Sequence, residues 1–297
     1  MQDGFRSGFV IIIGRPNAGK STLLNCLLGS KVAIMSDKPQ TTRNKIQGIY
    51  TSEKAQIIFI DTPGVHKPKH RLGEMMVNTV LRSLREADIV LYLVDVSEDI
   101  GRGEQFILNN LQGIKTPVIL GLNKIDLVER EAAVEAGEIL CSGFNFAEIV
   151  PLSAVTGENV SELLNLLLKY LPEGPKYYPD DMITDRPEKF IIGELIREKV
   201  LDSTRDEVPH SCAVKVDEIT PRNGLVYISS TVFVERESQK GIIIGKGGLM
   251  LKEIGSSARR DIEGLLGSRV FIELRVKVKK GWRKNDAALR HLGYTPE

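Results

Sequence analysis

Residues 14–21 read Gly14-Arg15-Pro16-Asn17-Ala18-Gly19-Lys20-Ser21, and they directly follow an apolar run, residues 9–13. The run predicts a buried strand, and the apolar residues after Ser21 predict a helix that begins at Lys20. A glycine loop between a strand and a helix N-terminus lets backbone N–H groups surround a chain of phosphates. Glycine at positions 14 and 19 permits the close approach that such a loop requires. The pattern therefore predicts a nucleoside triphosphate site on an α/β sheet.

The side chains of this loop have predicted roles at the phosphates. Lys20 is expected to reach the terminal phosphates with its positive charge, and the Ser21 hydroxyl is expected to ligate Mg²⁺. The rest of the loop is predicted to contact the nucleotide as well, namely Gly14, Arg15, Pro16, Asn17, Ala18 and Gly19.

A second polar segment, Asp61-Thr62-Pro63-Gly64-Val65, follows another apolar strand, residues 56–60. We expect Asp61 to hold Mg²⁺ through water and the Gly64 N–H to bond the γ-phosphate. The earlier segment Gln40-Thr41-Thr42-Arg43 offers a threonine that closes over the metal only when the γ-phosphate is present. Thr42 is the favoured ligand, Thr41 stays open as the alternative, and an ordinary turn is the remaining interpretation.

The base is selected by Asn123-Lys124-Ile125-Asp126, which ends the apolar strand 118–122. The Asp126 carboxylate can accept hydrogen bonds from N1–H and the 2-amino group of guanine, and adenine has neither donor. Asn123 could bond the purine edge or tie this loop to the phosphate loop, and the Lys124 stem could cover the ring. Ser153-Ala154, after the strand 147–152, could supply an N–H to the guanine oxygen. The sequence therefore predicts GTP and GDP as ligands rather than ATP.

The five motifs GRPNAGKS, QTTR, DTPG, NKID and SAV occur in the order and spacing of the G-motifs of the translation-factor-related GTPases. The chain resembles the branch of these proteins that contains Era and the tRNA-modification GTPase MnmE, and the resemblance covers residues 8 to about 171. It implies a P-loop GTPase sheet with helices on both faces. It also implies that Lys20, Thr42 and Gly64 act in GTP hydrolysis.

Two residues bear on the hydrolysis rate. Val65 stands where Ras-like proteins place a glutamine that orients water, so we expect slow intrinsic hydrolysis. The resemblance suggests that Asn17 ligates a K⁺ ion that supplies positive charge between the phosphates. The alternative is that Asn17 only stabilises its loop.

Length and charge predict a second domain with a polyanionic partner. The chain has 297 residues and a formal net charge of +1, yet 14 basic and 7 acidic residues follow Glu235. A basic C-terminal segment on a near-neutral chain is typical of nucleic-acid binding. We predict a GTPase domain over residues 1–171 and a proline-punctuated linker over 172–187. The second domain, with its basic tail, is predicted over 188–297.

The second domain shows the element order αββααβ. Periodicity predicts helices over 188–204, 239–244 and 249–266 and strands over 211–218, 224–235 and 269–278. The loop Gly245-Lys246-Gly247-Gly248 lies between the two adjacent helices, and the arrangement resembles a type II KH domain, an α+β fold. The glycines would let the backbone approach single-stranded RNA, and Lys246 would add a phosphate contact. The bases are expected to lie across an apolar groove formed by Ile242, Ile243, Ile244, Leu249 and Ile254.

The basic tail is predicted to add RNA contacts. Lys279, Lys280 and Arg283 would reach phosphates, and Trp282 could stack on a base. The alternative for this run of charges is an ordinary solvated face. A GTPase domain followed by a KH domain narrows the resemblance to the Era family, because MnmE lacks the KH domain. That resemblance implies binding near the 3′ end of 16S ribosomal RNA and a role in maturation of the 30S subunit.

The sequence has no apolar run of 18 residues and no signal peptide, so we expect a cytoplasmic protein. We also expect a monomer. The family resemblance implies some association with the inner face of the cell membrane. Two other functions stay open. One is a membrane-docked signalling GTPase whose basic tail meets anionic lipid, and the other is a switch that recruits protein partners while RNA is incidental.

Overall fold

The computed structural model describes residues 4–36, 38, 41–64, 71–222 and 224–294. The chain forms two compact units that divide between Asp185 and Arg186. Residues 34–36, 38, 41, 71 and 72 belong to the second unit. Within the described part of the chain, none of the helices has the length and apolarity needed to span a bilayer.

The first unit is built on a six-stranded sheet with the order β2-β3-β1-β4-β5-β6. Strand β2 runs antiparallel to β3, and the other neighbouring pairs are parallel. The edge strand β2 was not predicted from the sequence. The elements are β1 Arg6–Ile13, α1 Lys20–Leu28, β2 Ile46–Thr51, β3 Ala55–Asp61, α2 Arg71–Ser83, β4 Ile89–Asp95, α3 Arg102–Leu111, β5 Val118–Asn123, α4 Arg130–Gly143, β6 Glu148–Leu152 and α5 Val160–Tyr170.

The central strands are buried along their length, which explains why their sequences are apolar without alternation. Alternate side chains such as Ile11, Tyr92 and Leu120 pack with apolar residues of α2, α3 and α4. The carboxyl ends of the parallel strands lie at one edge of the sheet, where loops of such sheets meet ligands. The loops after β1, β3, β5 and β6, which carry four of the sequence motifs, therefore meet at this edge.

Residues 172–185, most of the predicted linker, pack on the first unit. The backbone N–H of Ser7 donates to the Pro172 carbonyl at 3.1 Å. Buried Gln56 accepts from the N–H groups of Tyr177 and Tyr178 at 2.7 and 2.9 Å and donates to the Tyr178 carbonyl. The tyrosines thus anchor the segment to the sheet.

The second unit has a three-stranded sheet with the order β7-β8-β9, in which β7 and β8 are antiparallel and β8 and β9 are parallel. Its core joins apolar residues of α6, the strands and α9, including Ile196, Ile228 and Ile254. The predicted order αββααβ is present, with two further short helices, α7 and α10. The elements are α6 Glu188–Ser203, α7 Val208–Ser211, β7 Ala213–Arg222, β8 Leu225–Val234, α8 Glu237–Ile244, α9 Leu249–Leu266, β9 Val270–Val278 and α10 Asp286–His291.

Candidate functional site

The loop after β1 is packed so tightly that its glycines admit no side chain. A Cβ atom at Gly14 would lie 2.3 Å from the Leu93 carbonyl oxygen, and one at Gly19 would lie 2.2 Å from Nδ2 of Asn123. A Cβ atom at Gly64 would lie 2.7 Å from the Pro16 Cα. Gly19 also has a φ of +92° and ends the loop immediately before α1. The glycines of two motifs thus bring the loops after β1 and β3 into direct contact.

Lys20 and Asp61 form the charged centre of the site. The Lys20 ammonium donates to the carbonyl oxygens of Gly14 and Arg15 at 3.2 and 2.8 Å. Burial lowers the pKa of Lys20 to about 8, and the nearby Asp61 charge opposes this shift. Burial raises the pKa of Asp61 to about 6, although the Lys20 charge and hydrogen bonds from neighbouring hydroxyls act in the opposite direction. Both groups are held where a bound phosphate and metal would stabilise their charged forms.

Three oxygen atoms form a donor set suited to Mg²⁺. Ser21 Oγ lies 2.7 Å from Asp61 Oδ2 and 2.9 Å from Thr42 Oγ1. Asp61 Oδ1 is buried and has no hydrogen-bond partner among the described residues. Hard oxygen ligands of this kind suit Mg²⁺, so these residues fit the ion. The Thr41 hydroxyl instead donates to the Lys38 carbonyl at 2.6 Å, which favours Thr42 over Thr41 as the ligand.

Asn123 joins three loops rather than standing free for the purine. Its Nδ2 donates to the Ala18 carbonyl at 2.8 Å, and its Oδ1 accepts from the Ala154 N–H at 3.0 Å. The Ser153 N–H donates to the Glu158 carbonyl at 3.1 Å. The N–H groups of Ser153 and Ala154 thus have protein acceptors in this structure, and their bond to the guanine oxygen stays a prediction. The Ser153-Ala154 loop fixes the position of Asn123.

Lys124 and Asp126 lie beside this junction. Lys124 has a φ of +68° and forms an ion pair with Asp95, whose carboxylate also accepts from the Ser97 N–H at 2.9 Å. Asp126 is exposed in the short 3₁₀ turn Ile125–Leu127. Sequence reasoning missed Asp95, although a carboxylate that ends an apolar strand, as Asp61 does, was an available signal.

The second unit carries the loop between α8 and α9. Gly245, Gly247 and Gly248 have φ values of +71°, +61° and +81°. A Cβ atom at Gly245 would lie 2.7 Å from the Met250 Cβ, and Lys246 is exposed. These backbone angles favour glycine, so the loop geometry explains the G-x-x-G spacing.

Comparison with known proteins bears on both units. Residues 9–124 match the family described as 50S ribosome-binding GTPase, and residues 207–283 match the KH domain. A crystal structure of Era in complex with MgGDPNP and nucleotides 1506–1542 of 16S ribosomal RNA is 43% identical to this chain, with a TM-score of 0.95. The match covers 98% of this chain and 99% of that one. This chain belongs to the Era family.

A structure of an Aquifex aeolicus Era variant bound to GDP·AlF₄⁻ gives a similar match. It is 43% identical, with a TM-score of 0.94, and covers 98% of this chain and 100% of that chain. The Era resemblance inferred from the motifs is therefore confirmed, as is the fold of a P-loop GTPase sheet followed by a smaller KH domain.

Most of the remaining residues predicted for the nucleotide site lie in the loops at this edge of the sheet. The Thr62 hydroxyl donates to the Ile12 carbonyl at 2.8 Å, which fixes the end of β3 against β1. Asn17 is exposed and has a φ of +66°. Val65 and Gln40 lie outside the described residues. Pro16, Ala18, Pro63 and Ile125 lie in the same loops.

Arg15 forms ion pairs that, like the contact of Lys124 with Asp95, were not predicted from the sequence. Its guanidinium forms ion pairs with Glu98 and Glu104, each at 3.3 Å. Glu104 is buried and accepts from the Gly101 N–H at 3.4 Å, which caps the start of α3. The pattern of a capping residue followed three positions later by glutamate was the available signal. Arg15 therefore has protein partners that hold the phosphate loop against α3.

The predicted apolar groove of the KH domain is wrong in part. Ile243 and Ile254 are fully buried in the core, whereas Ile242 and Leu249 are exposed. A different hollow of about 360 Å³ opens beside the G-x-x-G loop, between α9 and β9. Its lining includes Gly248, Lys252, Gly255, Arg259, Phe271 and Leu274.

The predicted stacking role of Trp282 is also wrong. The ring is fully buried, its N–H donates to the Ser211 carbonyl at 3.0 Å, and it stacks on Tyr294 with ring centroids 5.7 Å apart. A ring held in this way has no face for a base. Arg283 is likewise engaged, since its Nε donates to Glu235 at 3.0 Å. The expected basic tail is thus partly folded, and of its predicted contacts Lys280 is exposed and Lys279 half-buried.

Proposed function

We propose that this protein is a GTP-hydrolysing switch that binds single-stranded RNA near the 3′ end of 16S ribosomal RNA and assists maturation of the 30S subunit. The observation that carries the proposal is 43% identity, over 98% of this chain, to an Era captured with MgGDPNP and nucleotides 1506–1542 of 16S ribosomal RNA. The nucleotide site and the G-x-x-G loop described above supply the chemistry that each half of this function requires.

Hydrolysis is assigned to the residues around the phosphate loop. Phosphoryl transfer is accelerated chiefly by positioning and by electrostatic stabilisation of the phosphate oxygens. Lys20 supplies a buried positive charge, and the Gly64 N–H lies on the segment packed against Pro16. Ser21, Thr42 and Asp61 would hold Mg²⁺, which neutralises charge on the terminal phosphates when it is bound. With Val65 in place of a water-orienting glutamine, intrinsic turnover is slow.

Asn17 is proposed to ligate K⁺ beside the phosphates. Its exposed position in the phosphate loop supports this assignment. A cation there would act as an arginine finger does in other GTPases, so GTP hydrolysis should be about tenfold or more faster in K⁺ than in Na⁺ at equal ionic strength. Identical hydrolysis rates in the two salts would show that Asn17 does not ligate K⁺ and only stabilises its loop.

RNA binding is assigned to the KH domain, residues 188–297, through Ile244, the loop Gly245–Gly248, and Lys279 and Lys280. Changing Lys246→Asp together with Gly247→Asp places two carboxylates where the RNA backbone must approach. We expect affinity for single-stranded RNA from the 3′ end of 16S ribosomal RNA to fall by about 100-fold, with GTP affinity unchanged.

A matched control is Arg260→Asp with Gly264→Asp. Both residues are exposed on α9, a Cβ atom at Gly264 meets no neighbour within 4 Å, and the pair makes the same change in net charge. The control should retain RNA affinity within about threefold. Equal losses in the two double variants would mean that net charge, and not the loop, governs binding.

The protein is further proposed to act as a cytoplasmic monomer that engages the 30S subunit and contacts the inner face of the cell membrane peripherally. Sedimentation with vesicles containing anionic lipid, after ribonuclease treatment, separates this from a membrane-signalling GTPase. Weak vesicle binding that the Lys246→Asp, Gly247→Asp variant lowers is expected. Strong vesicle binding that persists after ribonuclease treatment and in the double variant would favour the membrane-signalling function.

A further inference from the structure

Three groups from the three strands of the KH sheet form a stack on its exposed face. Tyr227 of β8 and Phe271 of β9 are direct neighbours in the parallel register. Their ring centroids are 5.9 Å apart and the ring planes differ by 12°. The guanidinium carbon of Arg222, on β7, lies 3.9 Å from the centre of the Tyr227 ring. Tyr227 is therefore enclosed between a cation and a second ring, and Phe271 ends the row.

Hydrogen bonds and ion pairs hold Tyr227, against which Phe271 stacks, and Arg222 in place. The Tyr227 hydroxyl donates to Glu273, and Glu273 also accepts from Arg275. Arg222 forms an ion pair with Glu218 at 3.1 Å. A ring fixed by its neighbours loses little conformational entropy when a ligand binds, so the row is organised in advance for a flat partner.

Phe271 offers such a partner a free surface. Its side chain is 55% exposed, although phenylalanine is among the residues most often buried. It also belongs to the lining of the hollow beside the G-x-x-G loop, together with Gly248 and the basic residues Lys252 and Arg259. An RNA strand that enters this hollow from the loop therefore passes positively charged groups and reaches the phenyl ring at the edge strand β9.

We propose that Phe271 is a stacking platform for one nucleobase of the bound RNA, beyond the four nucleotides that a G-x-x-G loop clamps. The ligand is an unpaired base of any identity, because every base has a π-face and a phenyl ring reads no hydrogen-bonding edge. The platform adds affinity and site length rather than sequence preference. This inference rests on the proposed RNA-binding function.

The test uses the full chain and an unpaired RNA that spans the 3′ end of 16S ribosomal RNA. Phe271→Leu keeps an apolar side chain but removes the ring face, and it should lower affinity about tenfold. Phe271→Tyr should retain wild-type affinity. The control Tyr177→Leu removes a half-exposed ring of the first unit and should leave RNA affinity unchanged. The slope of log affinity against log salt should stay the same, since a phenyl ring neutralises no phosphate.

A scan of single abasic positions in the RNA locates the contact. In the wild type, removal of the stacked base should weaken binding about tenfold, whereas with Phe271→Leu the same removal should cost nothing further. A 2-aminopurine at that position should be quenched by the wild type and not by Phe271→Leu.

The inference is overturned if Phe271→Leu binds the RNA as tightly as the wild type does. It is also overturned if the variant binds every abasic RNA more weakly than the wild type by the same factor, since no single base would then depend on the ring. Either result leaves the proposed function intact. If the wild type itself fails to bind the unmodified RNA, the proposed function is wrong, and so is the stacking role of Phe271.

Discussion

The nucleotide site and the RNA interface were predicted from the same sequence with unequal success. At the nucleotide site, Ser21, Thr42 and Asp61 lie 19 to 40 positions apart in the sequence, and their oxygens still meet within hydrogen-bond distance. At the RNA interface, two residues expected in the groove, Ile243 and Ile254, are core residues, and so is Trp282. Polar groups at fixed spacing around glycine loops have few alternative uses, whereas an apolar residue can serve a core or a binding surface equally well.

The largest expected effect concerns Trp282, because a core residue and a base-stacking residue predict different results when this ring is removed. Trp282→Ala should lower the free energy of unfolding by about 3–5 kcal/mol, because a buried ring and a satisfied N–H are lost together. Denaturant unfolding measures this change. Trp282→Phe, which keeps an aromatic ring but loses the hydrogen bond, should cost less.

Fluorescence gives an independent check, since the sequence contains one tryptophan. Its emission should be unchanged when RNA binds. Quenching by RNA, together with a small change in stability for Trp282→Ala, would restore Trp282 to the interface.

The next effect tests base selection at the nucleotide site. Asp126→Asn removes the carboxylate that accepts two hydrogen bonds from guanine, and GTP affinity should fall by about 100-fold, or roughly 2.7 kcal/mol. Xanthosine triphosphate, whose second carbonyl can accept from the new amide, should bind the variant better than GTP does. Calorimetric titration measures both affinities, and the neighbouring Glu131→Gln is the control. Unchanged GTP affinity in Asp126→Asn would show that the base lies elsewhere.

A smaller effect follows from the buried charges of the nucleotide site. The pKa of Asp61 is raised to about 6, so the carboxylate takes up a proton as pH falls from 7 to 5 and loses the charge that a metal ion needs. The pKa of Lys20 is lowered to about 8, so its positive charge is lost above that pH in the nucleotide-free protein. Affinity for Mg²⁺·GTP should therefore peak between these values and fall by about tenfold toward pH 5.

A fluorescent GTP analogue titrated from pH 5 to 9 measures this profile. Asp61→Asn should bind the GTP analogue more weakly at every pH. Its affinity should no longer fall toward pH 5 but should still fall above about pH 8. A flat profile in the wild type would mean that neither group titrates in this range.

The motif loops and the strands that precede them could be predicted because their signals are local. Strand β2 could not, because it is a short edge strand whose pairing depends on β3 and on residues 183–184. The ion pair of Arg15 with Glu104 joins residues 89 positions apart, and the partner of Trp282 lies 71 positions earlier. No periodic pattern links such distant pairs, so only the folded chain reveals them.

The two regions are proposed to be coupled, because a nucleotide can act on RNA binding only if the protein has two states with different affinities. Thr42, at the nucleotide site, belongs to the first unit, whereas the adjacent Thr41 belongs to the second, where buried Arg197 donates to its carbonyl. Loss of the proposed Thr42 ligand when the γ-phosphate leaves is the change that would distinguish the two states.

The most direct test of the switch is the affinity of the wild-type protein for 16S 3′-end RNA in the presence of GDP and of a non-hydrolysable GTP analogue. The GTP analogue should give the tighter RNA binding, by a factor of about 5–150, and RNA should tighten binding of the analogue by the same factor. Equal RNA affinities in the two nucleotide states would contradict the account.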